Sequence, residues 1–476
     1  MELVYHVKDK PSVGRTIVFA LQQLLSILAG TVTLPLIVGN GMSQSAALFG
    51  ACIGTLIYLI FTKFKSPVLL GSSFTFLGSM SFAFAGAATA AIGYLGLLIG
   101  ALLAGLVYVI LSIIIRFTGT GWVNRIMPPV IVGPIVAVIA LTLAPDAMRN
   151  IMLGTVYIDG AVAANEYVCL AVGFFTMITI VVTAIYGKKM FKLIPFIIGI
   201  LSGYALAATL TGIGYATNTT ALLIIDFSPF QHIKWIPDFA FINAFKGFKD
   251  FTNAGEFFKY LGLIAAAYVP VALTVFSEHI ADHKNISHII EVDLLEDPGL
   301  SRTLMGDGVG SMIGAFFGGC PNTTYGESIS TIAFSKNASI ITIFTACLMG
   351  IVVSFFGPLM TFFSTIPPCV VGGLSICLYG FIAISGFQML QKVDIGRAKN
   401  IFVASTVFVV GIGGLVIEFD YAEISSVAVA FVAGLIVNQI VNIPQYIDEY
   451  KTKKELKKLA QETSENQEEN KENTGQ

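Results

Sequence analysis

Apolar residues run through this chain in long uninterrupted blocks. Residues 16–62, 67–115 and 337–391 hold no Asp, Glu, Lys or Arg. A helix crossing a bilayer needs about 20 apolar residues, so each block accommodates two spans or more. The pattern predicts about fourteen membrane segments. The first half places them near 16–38, 44–62, 67–83, 91–115, 128–145, 167–187 and 191–213, and the second near 259–283, 303–319, 321–336, 338–358, 367–389, 400–417 and 424–446. Segments 67–83 and 321–336 are too short for a helix across roughly 30 Å of hydrocarbon. Each opens with proline and contains glycine (Pro67 and Gly71, Pro321 and Gly326), so both are expected to be broken, part extended and part helical.

Composition sharpens this. Of 476 residues, 55% are hydrophobic and only 12% charged, with a mean hydropathy of +0.81. Roughly a quarter of an ordinary soluble chain is charged. A soluble enzyme, a nucleic-acid binder and a secreted disulfide scaffold are excluded, and an all-α polytopic membrane protein is expected. The net charge of −2 implies no polyanionic partner. Six cysteines without a CxxC pair read as small buried apolar residues. The first fifteen residues are polar and lack a cleavage site of small residues, so the first span is expected to stay in place.

Charge placement orients the spans. With both termini cytoplasmic, only Arg149, Lys234, Lys246, Lys249 and Lys259 of the 27 basic residues fall outside. That asymmetry matches the positive-inside rule. Residues 214–258 mix charge and aromatics, which suits an extracytoplasmic connection. The tail from Asp448 is rich in Lys and Glu, a composition that cannot bury a core.

The two halves echo each other. Ile126–Gly133 (IMPPVIVG) resembles Thr365–Gly372 (TIPPCVVG), Pro67 answers Pro321, and Gln22-Gln23 stands opposite Glu278-His279 at similar spacing. A tandem duplication follows. Seven spans per copy is an odd number, so the second copy must insert upside down. Inverted repeats with broken segments in matching positions mark secondary transporters and point to their substrate sites. The domain reading is a cytoplasmic 1–15, a first repeat 16–213, a connection 214–258, a second repeat 259–446 and a charged tail 447–476.

Ionisable side chains at membrane depth cost about 2.5–3.5 kcal/mol each on insertion scales, so each calls for a reason. Glu278, His279, Asp282 and His283 lie at the inner part of the eighth span, in SEHIADH, and Glu327 lies in the second broken segment, in PNTTYGES. Glu278 and Glu327 read as functional. For Asp282, His279 and His283, nearer the cytoplasmic end, solvation is an equal alternative; Asp307 reads as structural. The half-helices starting near Phe74 and Glu327 would present free N–H groups and positive dipole ends to the membrane centre. With Glu278 and Glu327 as acceptors, such a site suits a flat ring of alternating N–H and C=O groups. Phe74, Tyr325 and Tyr379 are candidates to flank it, with plain packing the alternative. The positive end of a half-helix favours the Glu327 anion, and Glu278 lacks that help, so Glu278 is expected to be the proton-linked acid and Glu327 the acceptor that orients the ring.

These residues carry a resemblance. SEHIADH, GGCPNTTYGES, LLGSSFTF and LSICLYGFIAISG resemble the nucleobase–ascorbate transporter family, most closely its bacterial uracil permeases, over about residues 10–445. The resemblance implies fourteen segments in a core domain (16–115 with 259–358) and a gate domain (128–213 with 367–446). It also implies a homodimer in the bacterial inner membrane and uptake of a nucleobase such as uracil by proton symport. By the same resemblance Glu278 and Glu327 bind the base, Phe74 and Gly326 donate backbone N–H groups, and Ser73, Tyr325 and Tyr379 line the pocket. Glu278, Asp282 and Glu327 would be proton-linked, and no cofactor or metal is implied. The chain departs from the family at Gln23, where histidine is usual, at Asp282, which is His in some uracil permeases, and at Ser328, Ser330, Ser335 and Lys336. Xanthine or another nucleobase therefore stays open.

Three other classes compete. An intramembrane metalloenzyme would use His279 and His283, four residues apart, but the motif is not HExxH and no third ligand is evident. A channel would show flux that neither saturates nor couples to protons. An anion transporter would want a basic residue at the half-helix ends, and 67–83 and 321–335 hold none.

Overall fold

The computed structural model describes residues 3–119, 128–158, 160–188, 191, 195–391, 393–419, 422–424 and 426–444. Arg125, Lys189, Lys192, Lys392 and the charged tail from Asp448 lie outside the described residues. The apolar blocks become helices: α1 Val13–Val38, α2 Gln44–Phe61, α4 Ala90–Thr118, α5 Pro129–Thr142 followed by the short α6 Ala144–Asn150, α7 Glu166–Tyr186 and α8 Pro195–Thr217. The connection carries α9 Ala240–Gly247. The second half brings α10 Ala254–Ile290, α11 Leu300–Gly318, α13 Ile340–Ser354, α14 Gly357–Ser364, α15 Pro368–Leu390, α16 Ala398–Ile412 and α17 Ser426–Pro444.

Both short segments are broken, as expected. The first is a strand, β1 Leu70–Ser72, then a 3-10 turn Phe74–Phe76 and a helix α3 Leu77–Ala85. The second is a strand, β4 Asn322–Thr324, then a helix α12 Gly326–Ser335. Small hairpins β2–β3 (Tyr157–Ile158, Ala161–Val162) and β5–β6 (Ile417–Phe419, Ala422–Ile424) close two loops.

Local chemistry sets the helix starts. Ser43, Thr89, Asn165 and Asn253 each accept a backbone N–H from the first turn of the helix they cap. α5 and α15 instead begin on Pro-Pro, whose second proline occupies the first helical position, where no N–H is missed. Among the described residues nine helices are long and apolar enough to cross a membrane, or ten if α13 and α14, bent by 78°, count as one. The remaining expected segments are the two broken ones, the fifteen-residue α16 and α11. α11 carries Arg302, Asp307 and five glycines, and it is buried in protein rather than turned to lipid.

The helices pack in two groups. One joins α1–α4 with α10–α13, and its centre is α11 against α2 and α4. There a Cβ on Gly54 would stand 2.6 Å from Gly310 O, and one on Gly310 2.7 Å from Gly54 O. Only small residues let two backbones come that close, which is how helices associate without a hydrophobic drive from lipid. The second group joins α5–α8 with α15 and α16, its centre being α15 on α5, α6 and α7. α17 joins it where Gly434 meets Val407 and Ile131. The five cysteines Cys52, Cys169, Cys320, Cys347 and Cys369 are buried free thiols, and Cys377 is half-buried.

Candidate functional site

The site is built around the two broken segments. β1 and β4 pair antiparallel, Leu70 with Thr324, Gly71 with Thr323 and Ser72 with Asn322. The ribbon extends by Ser73 N–H to Pro321 O (2.9 Å) and Tyr325 N–H to Leu69 O (3.1 Å). Extended backbone at membrane depth must be satisfied by protein, and neighbours finish the task. Leu70 N–H donates to Thr55 Oγ1 (2.9 Å) and Asn322 N–H to Ser311 Oγ (3.0 Å). The Tyr325 ring lies on Gly71, where a Cβ would stand 2.5 Å from Cδ2. Glycine at 71 is what lets the two strands and this ring share the space.

Where the ribbon ends, the half-helices begin. Among the described residues the N–H groups of Phe74 and Gly326 find no backbone acceptor. Ser73 is buried, and among the described residues its Oγ has no hydrogen-bond partner. Gly326, Glu327 and Ser330 are exposed, and among the described residues nothing beyond its chain neighbours and its own helix backbone lies within 4 Å of a Cβ built on Gly326. Glu327 thus faces open space from the first turn of α12. Just behind it, Ser328 Oγ donates to Gln23 Oε1 (2.9 Å) and Gln23 Nε2 donates to Ser328 O (3.3 Å), tying α12 to α1.

α10 lies alongside the ribbon and contributes two faces. Glu278 and Asp282, one turn apart and half-buried, each meet a threonine. Thr75 Oγ1 donates to Glu278 Oε2 (3.2 Å), and Thr324 Oγ1 donates to Asp282 Oδ2 (2.7 Å). α12, which carries Glu327, packs on α10, which carries both acids. Among the described residues no lysine or arginine pairs with Glu278, Asp282 or Glu327.

The other face holds His279 and His283, and here solvation gives way to complete burial. His279 Nδ1 meets Asp307 Oδ2 at 2.6 Å and Nε2 meets Thr303 Oγ1 at 3.1 Å. His283 Nδ1–H donates to His279 O (2.9 Å), and its Nε2 meets the Tyr58 hydroxyl at 2.7 Å, which continues to Ser66 Oγ at 2.7 Å. Every ring nitrogen is engaged, so neither histidine offers a free metal ligand. Asp307 also accepts from Thr323 Oγ1 (3.3 Å), which binds α11 to β4.

The expected residues are thus placed as follows. Glu278, Asp282, Glu327, Phe74, Gly326, Tyr325 and Ser73 gather at the ribbon. Tyr379 does not belong to that group of helices; it is buried on α15, across the seam and near Asp146 of α6. A cavity of about 370 Å³ opens along this seam, between Ile37, Leu77 and Ser81 on one side and Leu143, Asp146, Arg149, Asn150 and Leu153 on the other. Thr75 and Thr324 were not anticipated. Hydroxyls cost little at depth and leave no mark in a charge pattern.

The sequence model of the permease family matches residues 14–418. The chain belongs to this family. A uracil permease of Bacillus subtilis (strain 168) is 35% identical over 93% of this chain and 96% of its own length. One from Escherichia coli (strain K12) is 32% identical over 90% and 92%. Among solved structures, the transmembrane domain of the cyanobacterial bicarbonate transporter BicA superposes with a TM-score of 0.61 at 14% identity, covering 91% of this chain and 99% of that one. Murine Slc26a9, an anion transporter in the inward-facing state, gives 0.63 at 11% over 92% and 69%. At such identities the likeness speaks for fold alone. The permease is therefore a multi-pass membrane transporter and not an enzyme.

Proposed function

We propose that this permease imports a nucleobase, uracil first, by proton symport with alternating access. The observation that carries the reading is the gathering of the Phe74 and Gly326 N–H groups, which find no backbone acceptor among the described residues, with the carboxylates of Glu278, Asp282 and Glu327, beside the buried Tyr325 and, among the described residues, without a paired lysine or arginine. A flat heterocycle with alternating N–H and C=O groups matches such donors and acceptors. An inorganic anion does not. Phe74, Ser73, Tyr325 and Gly326 hold the base from the ribbon side, Tyr379 closes it from α15, and Glu278, Asp282 and Glu327 share the proton. The similarity to uracil permeases of Bacillus subtilis and Escherichia coli supports uracil.

The architecture in this proposal is fourteen segments in two inverted repeats, 16–213 and 259–446. Packing supports it. Counterpart segments lie against each other in three places, α2 on α11, β1 on β4 and α5 on α15, and α1 on α13 answers α10 on α4. The first group of helices serves as core and the second as gate, and the seam cavity is the path between them. The protein works as a homodimer in the bacterial inner membrane with both termini cytoplasmic. A second reading, xanthine or another base, is favoured by Asp282, which adds an acceptor held by Thr324. Uptake of labelled uracil, challenged by unlabelled xanthine, cytosine, thymine and uric acid, decides between them. Uptake should collapse with a protonophore and fall as external pH rises, because the proton is a co-substrate. Uptake that follows a sodium gradient at constant pH overturns the coupling ion.

A further inference from the structure

The segment ahead of α1 is bound to the molecule. Val4 and Tyr5 N–H donate to Lys336 O (2.9 and 3.2 Å), Ala338 N–H donates to Tyr5 O (2.9 Å) and Ile340 N–H to Val7 O (3.0 Å). Tyr5 and Asn337 thereby form a parallel bridge. Ser339 Oγ donates to Asp9 O at 2.6 Å, and Leu3 is buried. The Tyr5 ring meets Phe19 edge-on, and its hydroxyl accepts from Arg15 Nη1 at 2.6 Å.

The turn this segment grips is the end of α12. Lys336 is the left-handed cap of that helix (φ 55°), and Glu327 is its second residue. A ten-residue helix is about 15 Å long. Helices that short are not stable on their own, so α12 sits where its two ends are held. Gln23 of α1 holds the first turn through Ser328, and residues 3–9 hold the last. Both grips lead back to α1, because Arg15 and Phe19 anchor Tyr5 and Gln23 lies one turn beyond Phe19.

We propose that residues 3–9 are a positioning element of the transport site, a clamp on the cytoplasmic end of α12 that fixes Glu327 against the ribbon. This rests on the reading of Glu327 as a ligand of the base. Misplacing a binding group by an ångström or so costs about tenfold to a hundredfold. Deleting residues 3–9 should therefore weaken uracil binding to the purified protein by about tenfold, while its size-exclusion profile is kept. Amides of Gly326–Ser335 should exchange with deuterium faster. In a Glu327→Gln background the deletion should cost little more, since it acts through that carboxylate. Tyr5→Ala, a milder lesion that keeps the backbone bonds, should reproduce part of the loss, and Tyr5→Phe should restore most of it through the Phe19 contact. Unchanged affinity, unchanged exchange of α12, or an equal loss in the Glu327→Gln background each overturns the clamp. Should the intact protein bind no nucleobase, the functional reading fails, and the exchange of α12 still decides whether residues 3–9 hold it.

Discussion

Two faces of one stretch of α10 differ sharply. Glu278 and Asp282 look toward the ribbon, half-buried, each with one threonine donor and room for another partner. His279 and His283, their immediate neighbours in sequence, are wholly buried with all four ring nitrogens engaged. An open, under-coordinated acid can exchange partners during a transport cycle. A saturated, buried imidazole pair cannot do so without breaking what it holds. In the proposed function the first face is the one that works, and the second holds α10, α11, α2 and β4 together.

The largest test is on the closed face. Asp307→Ala removes the partner of His279 and of Thr323 at a site without solvent access. A buried polar group left without its partner costs about 1–3 kcal/mol, and both His279 and Thr323 are left so, hence the melting temperature in detergent should fall steeply. A variant that keeps its melting temperature but loses transport would put Asp307 on the working face instead.

On the open face, Glu278→Gln should weaken nucleobase binding by about ten- to a hundredfold, the worth of roughly 1.5–3 kcal/mol for a charge-assisted bond. Substrate exchange should survive poorly, and proton-driven accumulation should be lost. Glu327→Gln should lose affinity by a similar factor while residual transport stays dependent on pH. The distinction follows from position, since Glu327 opens a half-helix whose positive end favours its anion, and Glu278 lies within a continuous helix. If Glu327→Gln abolishes the pH dependence and Glu278→Gln keeps it, the roles are exchanged. Unchanged affinity of Glu278→Gln in purified protein removes it from the site.

What the sequence shows and hides follows the same division. Charge at membrane depth is costly, so Glu278 and Glu327 were visible in a pattern of apolar blocks, as were the broken segments through Pro67 and Pro321. The burial of His279 and His283 was not. The apolar run ends near residue 283, which puts them by the water, whereas α10 continues to Ile290 and α2 and α11 cover them. α11 reads as a weak span because its glycines and Asp307 lower its hydropathy, yet those glycines are what let it sit at the centre of its group. The bond between residues 3–9 and 336–340 leaves no trace, because backbone pairing across more than three hundred residues has no side-chain signature.

The smallest expected effect refines the open face itself. Thr75→Val and Thr324→Val keep shape and remove one donor each, from Glu278 and Asp282 respectively. A single hydrogen bond is worth about 0.5–1.5 kcal/mol net, and water can reach both half-buried acids to replace part of it. Melting temperatures should therefore stay near that of the unmodified protein, far from the fall at Asp307→Ala. Transport should respond in two ways. Thr75→Val frees the acid assigned the proton, so the pH profile of uptake should shift while the Michaelis constant changes by about two- to tenfold. Thr324→Val loosens Asp282, one turn farther from the half-helix that begins at Phe74, and its effect should fall mainly on which bases compete with uracil. Equal pH shifts in both variants would mean that Glu278 and Asp282 titrate as one unit. A melting-temperature loss in either variant as large as that of Asp307→Ala would erase the difference between the two faces of α10.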